Sequence, residues 1–554
     1  MRKILFYAAA LAVVLASCSQ KDMTDKTPET PETEKQGTAF EGTSEVNTGE
    51  NPLSRTSLDY DRAARTLTYY WEPNDKIWLD DNNSAEADFT VKATTGRFTF
   101  TSGTFNAPNY NVYYTGTNGT SHNTVNIATT QTQGTPNTTS HIGESGDCGT
   151  ALATRTSAGK YGFTLTHRSA YLCFLPRTTN VTETGWVLTA VKVTSDNNIA
   201  GNYTLTPTGL TGTGSSNTIT LGTSNFDITN AATDQARNAS YMVIAPGVHT
   251  LTVEYTVKNT NTGNTGTIVK HLDAKDYHAN TLYPVTAHLF GEYSDTKYYL
   301  WDAIEDMWHN KTPANYSEGL YTAADEPASD FPGYAPYWII GPPLQYTGPD
   351  ADRIYNYNAP VVPGFTFSHG YGNHFYYATR SAKDCPSVWE LAWYYDKGDI
   401  RWDGEAAFLF RGKIYHGGAW IKKQSEIAAE NSTTVAALKN HDHVYDNLLD
   451  PDAGMMSDGV SKTIGQGAPS TAALKKYFFL PALGNYGGAG GGGMSSDPKY
   501  KLYHFATEGF YTCSSNYCTV TNIDYCWAFK FNSSKVQIYS LNSMRFGLPL
   551  WKAK

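Results

Sequence analysis

Leu251-Thr252-Val253-Glu254-Tyr255-Thr256-Val257-Lys258 alternates apolar and polar side chains without a break. Successive side chains of a β-strand point to opposite faces, so this period of two gathers Leu251, Val253, Tyr255 and Val257 on one buried face. Working outward, Val191-Lys192-Val193 and Ile219-Thr220-Leu221 are shorter pieces of the same pattern. Phe163 to Leu175 is an apolar, aromatic-rich run closed by Pro176, and Tyr69-Tyr70-Trp71 leads into Asp75-Lys76-Ile77-Trp78-Leu79. The latter reads as a strand pair around a polar turn, with Glu72-Pro73-Asn74 as the turn. Thr-, Asn- and Gly-rich stretches such as Thr115 to Ser140 read as long loops. Many short strands separated by turn signals predict β-sandwiches.

Composition agrees. The chain has 554 residues, enough for several domains, with only 17% charged and 13% aromatic residues, Tyr 39 and Gly 48. That profile fits an extracellular all-β protein. A net charge of −10 argues against nucleic acid as a partner.

The first residues read as an export signal. Arg2 and Lys3 precede an apolar run from Ile4 to Leu15, too short to span a bilayer. It ends in Leu15-Ala16-Ser17-Cys18, which looks like a lipobox, making Cys18 the lipidation site and membrane tether. Ser19 to Gly37 is polar and Pro-containing and reads as a disordered linker. Asp22 and Asp25 resemble a Bacteroidetes surface-export signal. Lipidation of Cys18 leaves Cys148, Cys173, Cys385, Cys513, Cys518 and Cys526, which outside the cytoplasm can pair. Cys513 and Cys518 stand close enough in sequence to read as a small disulfide loop. Their spacing does not suit zinc.

Residues 293–554 change character. Pro386 to Lys397 reads as a helix with Val388, Leu391, Ala392 and Tyr395 on one face. Ser425 to Glu430 and Ala472 to Lys475 read as shorter helices, and Tyr477 to Pro481 as a buried strand. Tyr525 to Phe531, a turn at Asn532-Ser533-Ser534, and Lys535 to Leu541 predict a hairpin. The expected layout is a signal peptide at 1–17, a tether at 18–37, sandwiches at 38–180 and 181–292, and a connector with an α+β domain at 293–554.

Arg55-Thr56-Ser57-Leu58, Trp71, Asp75-Lys76-Ile77, then Phe163 to Ala170, Tyr241 to Pro246 and Tyr277 to Pro284 resemble, in that order, the fimbrillin-like proteins of Bacteroidales. The resemblance implies two transthyretin-like β-sandwiches and membership in type V pili or related surface lipoproteins. In the pilins an Arg-specific protease removes the segment before the first mature strand, and a neighbouring subunit's strand fills the groove. Arg55 stands where that cut would fall. Cys385-Pro386-Ser387 with Glu390-Leu391, Gly417 to Lys423, Tyr477 to Gly484, Trp527-Ala528-Phe529 and Arg545 to Pro549 are similar to the Fibrobacter succinogenes major paralogous domain, which has a C-type-lectin-like fold. That fold implies a long-range Cys385–Cys526 disulfide.

Catalytic readings find little support. Gly487 to Gly493 lacks the Gly-Lys-Ser/Thr of a phosphate loop, and no Gly-x-Ser-x-Gly or His-Glu-x-x-His is present. Asp302, Glu305 and Asp306 read as a solvated helix face. His167 reads as a strand histidine with one backbone hydrogen bond. The C-terminal region lacks the calcium-binding triplets of sugar-binding lectins. No catalytic, cofactor or metal residue is expected. Pro549 to Lys554 follows directly on the lectin-like pattern and offers no spare donor strand. The expected role is therefore a tip or accessory subunit on the outer membrane. It would join stalk subunits by strand addition and bind a surface protein or glycan. The alternatives are a non-polymerising binding lipoprotein and a polysaccharide-active enzyme.

Overall fold

The alternating stretch at 251–258 lies inside a thirteen-residue strand, Gly247–Asn259, in which Leu251, Val253, Tyr255 and Val257 are fully buried. The computed structural model describes residues 35–44, 57–61, 66–73, 75–178, 184–289, 297–307, 309, 352, 356, 374–410, 412–439, 460–470, 472–487, 501–518, 525–543 and 546–554. The protein is mainly β and rich in sandwich-like sheet packing, as the sequence predicts. Among the described residues no helix is long and apolar enough to cross a membrane.

Seven strands form the first large sheet: β1 (Thr38–Ser44), β2 (Lys76–Leu79), β3 (Ser84–Glu86), β4 (Gly96–Phe100), β5 (Asn109–Tyr114), β6 (Gly149–Arg155) and β7 (Tyr161–His167). Their spatial order is β3-β2-β5-β6-β7-β1-β4. Alternation along β5 sends Val112 and Tyr114 into one core with Phe40, Trp71, Phe98, Tyr161 and Phe163. It sends Tyr113 into a second core on the opposite face.

That second core belongs to a five-stranded sheet. In spatial order this runs β12 (Thr265–Tyr277), β11 (Gly247–Asn259), β9 (Trp186–Ser195), β10 (Thr218–Asp227) and Thr130–Gln133. Facing it, β8 (Ala170–Arg177) lies between Ser240–Ile244 and Thr281–His288. The expected boundary at residue 180 therefore does not separate the cores. Thr124–Ile127, Thr130–Gln133 and β8 all precede it, yet pair with strands that follow it. Local periodicity identifies a strand but not its distant partner.

The C-terminal part has its own aromatic core. Helix α1 (Val388–Lys397) starts where Ser387 Oγ accepts from Glu390 N and the Glu390 carboxylate accepts from Ser387 N, a reciprocal capping box. Pro386 thus precedes the cap rather than sitting in the first turn. The second helix is Gln424–Glu430, and Gln424 Nε2 donates to the buried Glu390 at 2.8 Å. Leu474–Lys476 is a 3₁₀ turn. The buried strand Tyr477–Pro481 pairs with β14 (Lys413–Lys422), itself paired with β13 (Arg401–Phe410). The predicted hairpin forms between β16 (Tyr525–Asn532) and β17 (Lys535–Ser543), with β15 (Glu508–Cys518) on its other side.

Leu548–Pro549 pairs with Tyr298–Tyr299, joining the two ends of this part. The hairpin of β13 and β14 rests against edge strand β12. Ile414 closes on Gly266, Asn264 donates to the Gly412 carbonyl, and the His416 ring to that of Thr267.

Candidate functional site

Strand β1 is inserted between two other strands. It runs parallel to β7 and antiparallel to β4, with five residue pairs on each side. β4 joins the sheet ladder through β1, and meets the chain after β3 through an isolated bridge between Phe98 and Ala87. The chain leaves β1 at Ser44 and next has described structure at Ser57, so Arg55 falls in the intervening stretch, outside the described residues.

The inward side of β1 is a close fit. Phe40 is fully buried, stacked on Tyr161 at 4.6 Å and edge-on to Phe100 at 4.9 Å and Phe105 at 5.6 Å. Tyr161 is held by its hydroxyl, which donates to the Ala107 carbonyl at 2.7 Å. Two residues on, the Gly42 carbonyl accepts from Trp71 Nε1 at 3.2 Å. A Cβ at Gly42 would lie 2.2 Å from Phe163 Cζ, so only glycine allows that ring its seat. The outward side is loosely held, by the exposed Glu41–Lys160 ion pair at 2.9 Å. Burying Phe40 contributes roughly 1.5–3 kcal/mol, and each ladder hydrogen bond about 0.5–1.5 kcal/mol. Without β1, β7 and β4 would face an open slot lined by these rings.

The other predicted residues fall as follows. Cys18 lies outside the described residues, as do the side chains of Cys518 and Cys526. Cys385 is a buried free thiol whose pKa burial pushes up to about 12. The Cys513–Cys518 loop is not accommodated. Both residues lie on β15, and Ser515 to Cys518 pairs residue for residue with Tyr377 to His374. That extended stretch alone spans about 10 Å, more than the roughly 7 Å a disulfide bridges between Cα atoms. Glu72 to Asp75 is a turn, closed by Asp75 N to the Glu72 carbonyl at 3.0 Å.

Asp302, Glu305 and Asp306 do not form a helix face. They lie in a turn with Asp302 at φ +52°, and Asp302 is fully buried. Its carboxylate accepts from the backbone of Thr379 at 2.8 Å, Arg380 at 2.7 Å and Ala382 at 3.2 Å, and from Asn356 Nδ2 at 2.7 Å. It is a structural anchor. Glu305, Asp306 and His309 gather their ligand-type atoms within 4.8 Å of one another, with Lys297 ion-paired to Asp306 at 3.3 Å.

His167 has a carboxylate partner. Its Nδ1 lies 2.8 Å from Asp147 Oδ1, which also accepts from the Tyr171 hydroxyl; all three residues are buried. Tyr114 donates to Asp75 at 2.9 Å nearby, and burial, then Asp75, pushes its phenol pKa well up. Twenty residues separate Asp147 from His167, so no spacing rule reveals the pair.

No family model matches the sequence, and no curated relative does. Solved structures resemble it at low scores. A candidate cell adhesion protein from Bacteroides ovatus is 12% identical, with 46% of this chain and 92% of that one covered, at a TM-score of 0.28. Another from Bacteroides uniformis is 17% identical, with 45% and 93% covered, at 0.27. A fimbrial protein from Bacteroides ovatus is 12% identical, with 93% and 98% covered, at 0.22.

Proposed function

We propose that this chain is a lipid-anchored surface adhesion subunit that exchanges β1 for a strand of a neighbouring subunit after cleavage at Arg55, and that its C-terminal part is the target-binding head. The observation that carries this reading is β1 itself. It is an inserted strand that fills an aromatic slot, and the stretch carrying the candidate cut follows it directly. Strand addition needs a groove with main-chain partners on both sides and pockets for alternate side chains; β4, β7 and the Phe40 and Gly42 positions are these parts.

The head assignment is supported by how residues 548–554 are committed. Trp551 is buried and donates to the Thr512 carbonyl at 2.8 Å, and the Lys554 carbonyl accepts from Tyr394. These residues are therefore built into the C-terminal part and are not themselves a donor strand. The pairing of Tyr298–Tyr299 with Leu548–Pro549 is in keeping with a lectin-like module. Stalk subunits are the proposed partners on one side, and a surface protein or glycan on the other.

The test compares surface fibres from cells making the natural chain and an Arg55→Ala chain. The natural chain is expected in heat-labile high-mass assemblies and the variant only as a membrane-bound monomer. Equal assembly of both would remove the exchange mechanism and leave a non-polymerising binding lipoprotein.

A further inference from the structure

We infer that the slot vacated by β1 selects its incoming strand by an aromatic residue followed two positions later by glycine. This deepens the strand-acceptor reading and rests on it. The partner is an extended segment of another polypeptide bearing aromatic-x-Gly, lying parallel to β7 and antiparallel to β4.

Positions 40 and 42 share one face of the strand, since side chains repeat every two residues. Phe40 fills a pocket walled by Phe100, Phe105, Tyr110 and Tyr161, all within 4.6–6.2 Å between ring centres. A smaller side chain leaves that pocket part-empty.

At position 42 the limit is reversed. Three atoms of the Phe163 ring lie 2.2–2.8 Å from where a Cβ would stand. The ring is crowded by Trp71 and Phe98, with ring centres at 6.2 and 6.4 Å. Directly across the ladder, Gly42 faces Gly96, where a Cβ would strike Phe98 and Trp71 at 2.7–2.9 Å. Two opposed glycines thus let the rings of Phe163, Phe98 and Trp71 lie against bare backbone. β4 keeps its own glycine after β1 leaves, so the missing half must arrive with the new strand. Positions 41 and 43 on the other face are permissive: Glu41 and Thr43 reach only exposed Lys160 and Thr164.

The experiment uses the full chain with a site-specific protease sequence at Arg55, cut and offered fluorescent peptides of residues 35–45. Four are compared: natural, Phe40→Ala, Gly42→Ala and Glu41→Ala. The natural and Glu41→Ala peptides are expected to be retained through gel filtration with affinities within a few-fold. The Phe40→Ala and Gly42→Ala peptides are expected to bind at least about 10-fold more weakly, given the costs of cavities and overpacking. Equal retention of all four overturns the aromatic-x-Gly rule while the acceptor reading stands. Failure of the cut chain to retain the natural peptide overturns the acceptor reading and the rule with it.

Discussion

Phe40→Ala in the uncut chain is the most informative single change. Phe40 is fully buried among four aromatic rings, and truncating such a side chain costs about 3–5 kcal/mol through lost burial and the cavity left behind. The cost falls on β1 first, and through it on β4, whose ladder pairing is with β1. Amide exchange through release of β1 should accelerate tenfold for each 1.4 kcal/mol lost. Gly96–Phe100 and the β1-facing amides of Tyr161–His167 should therefore exchange roughly 100- to 4,000-fold faster. Peptides from β9, β11 and α1 should be unchanged. Hydrogen exchange followed by mass spectrometry reads each segment separately, and Glu41→Ala serves as the control, since an exposed ion pair contributes about 0–1 kcal/mol. Unchanged exchange in Gly96–Phe100 would refute the claim that β1 ties β4 to the sheet. Uniform acceleration across the chain would mean that β1 does not open as a unit.

Asp302→Ala strips three backbone N–H groups and Asn356 of their acceptor, and is expected to destabilise the C-terminal part by about 3–5 kcal/mol in urea unfolding; Glu305→Ala should stay within about 0.5 kcal/mol. Glu390→Ala removes half of the α1 capping box and the Gln424 link, with an expected loss of about 1–3 kcal/mol in the same assay. His141 donates from Nε2 to the Tyr241 carbonyl at 2.9 Å, and its Nδ1 is buried without an acceptor among the described residues. Burial holds its pKa below the usual 6.5. The unfolded chain then takes up a proton near pH 6.5 while the native chain does not, so stability is full above that pH and falls as pH drops toward the lowered native value. Thermal melts from pH 7.5 to 5.5 should show the decline, and His141→Gln should flatten part of it; parallel slopes would contradict the assignment. Cys385 should resist alkylation at pH 8 until the chain is unfolded. A Cys385–Cys526 bridge in a non-reducing peptide map would contradict the thiol and restore the pairing that the lectin-like resemblance implies.

Local pattern made several elements legible. The period of two at Leu251 to Lys258 identified β11, and the aromatic runs either side of Asn532-Ser533-Ser534 identified the β16–β17 hairpin. Ser387 and Glu390 stand at capping-box spacing, so the start of α1 was within two residues of its reading. Each of these depends on neighbours in sequence. What escaped depends on distance. Phe40 meets Tyr161, 121 positions further on, and Asp147 meets His167 through a fold that no spacing encodes. β8 looked like the end of one sandwich because its partners lie some 70 to 110 residues on. Asp302 read as part of a helix because acidic residues three and four apart look amphipathic, whereas its carboxylate closes a left-handed turn. For the candidate slot, the sequence pointed to Arg55 but not to Gly42 and Gly96, whose meaning appears only when the rings of Phe163 and Trp71 lie over them.

The most direct test is N-terminal sequencing of the chain recovered from native outer membrane and from sheared surface fibres. A start at Thr56 in the fibre fraction, with β1 absent, is the predicted result and means that the slot has been vacated and refilled. A blocked, acylated Cys18 in every fraction, with β1 still attached, would contradict strand exchange.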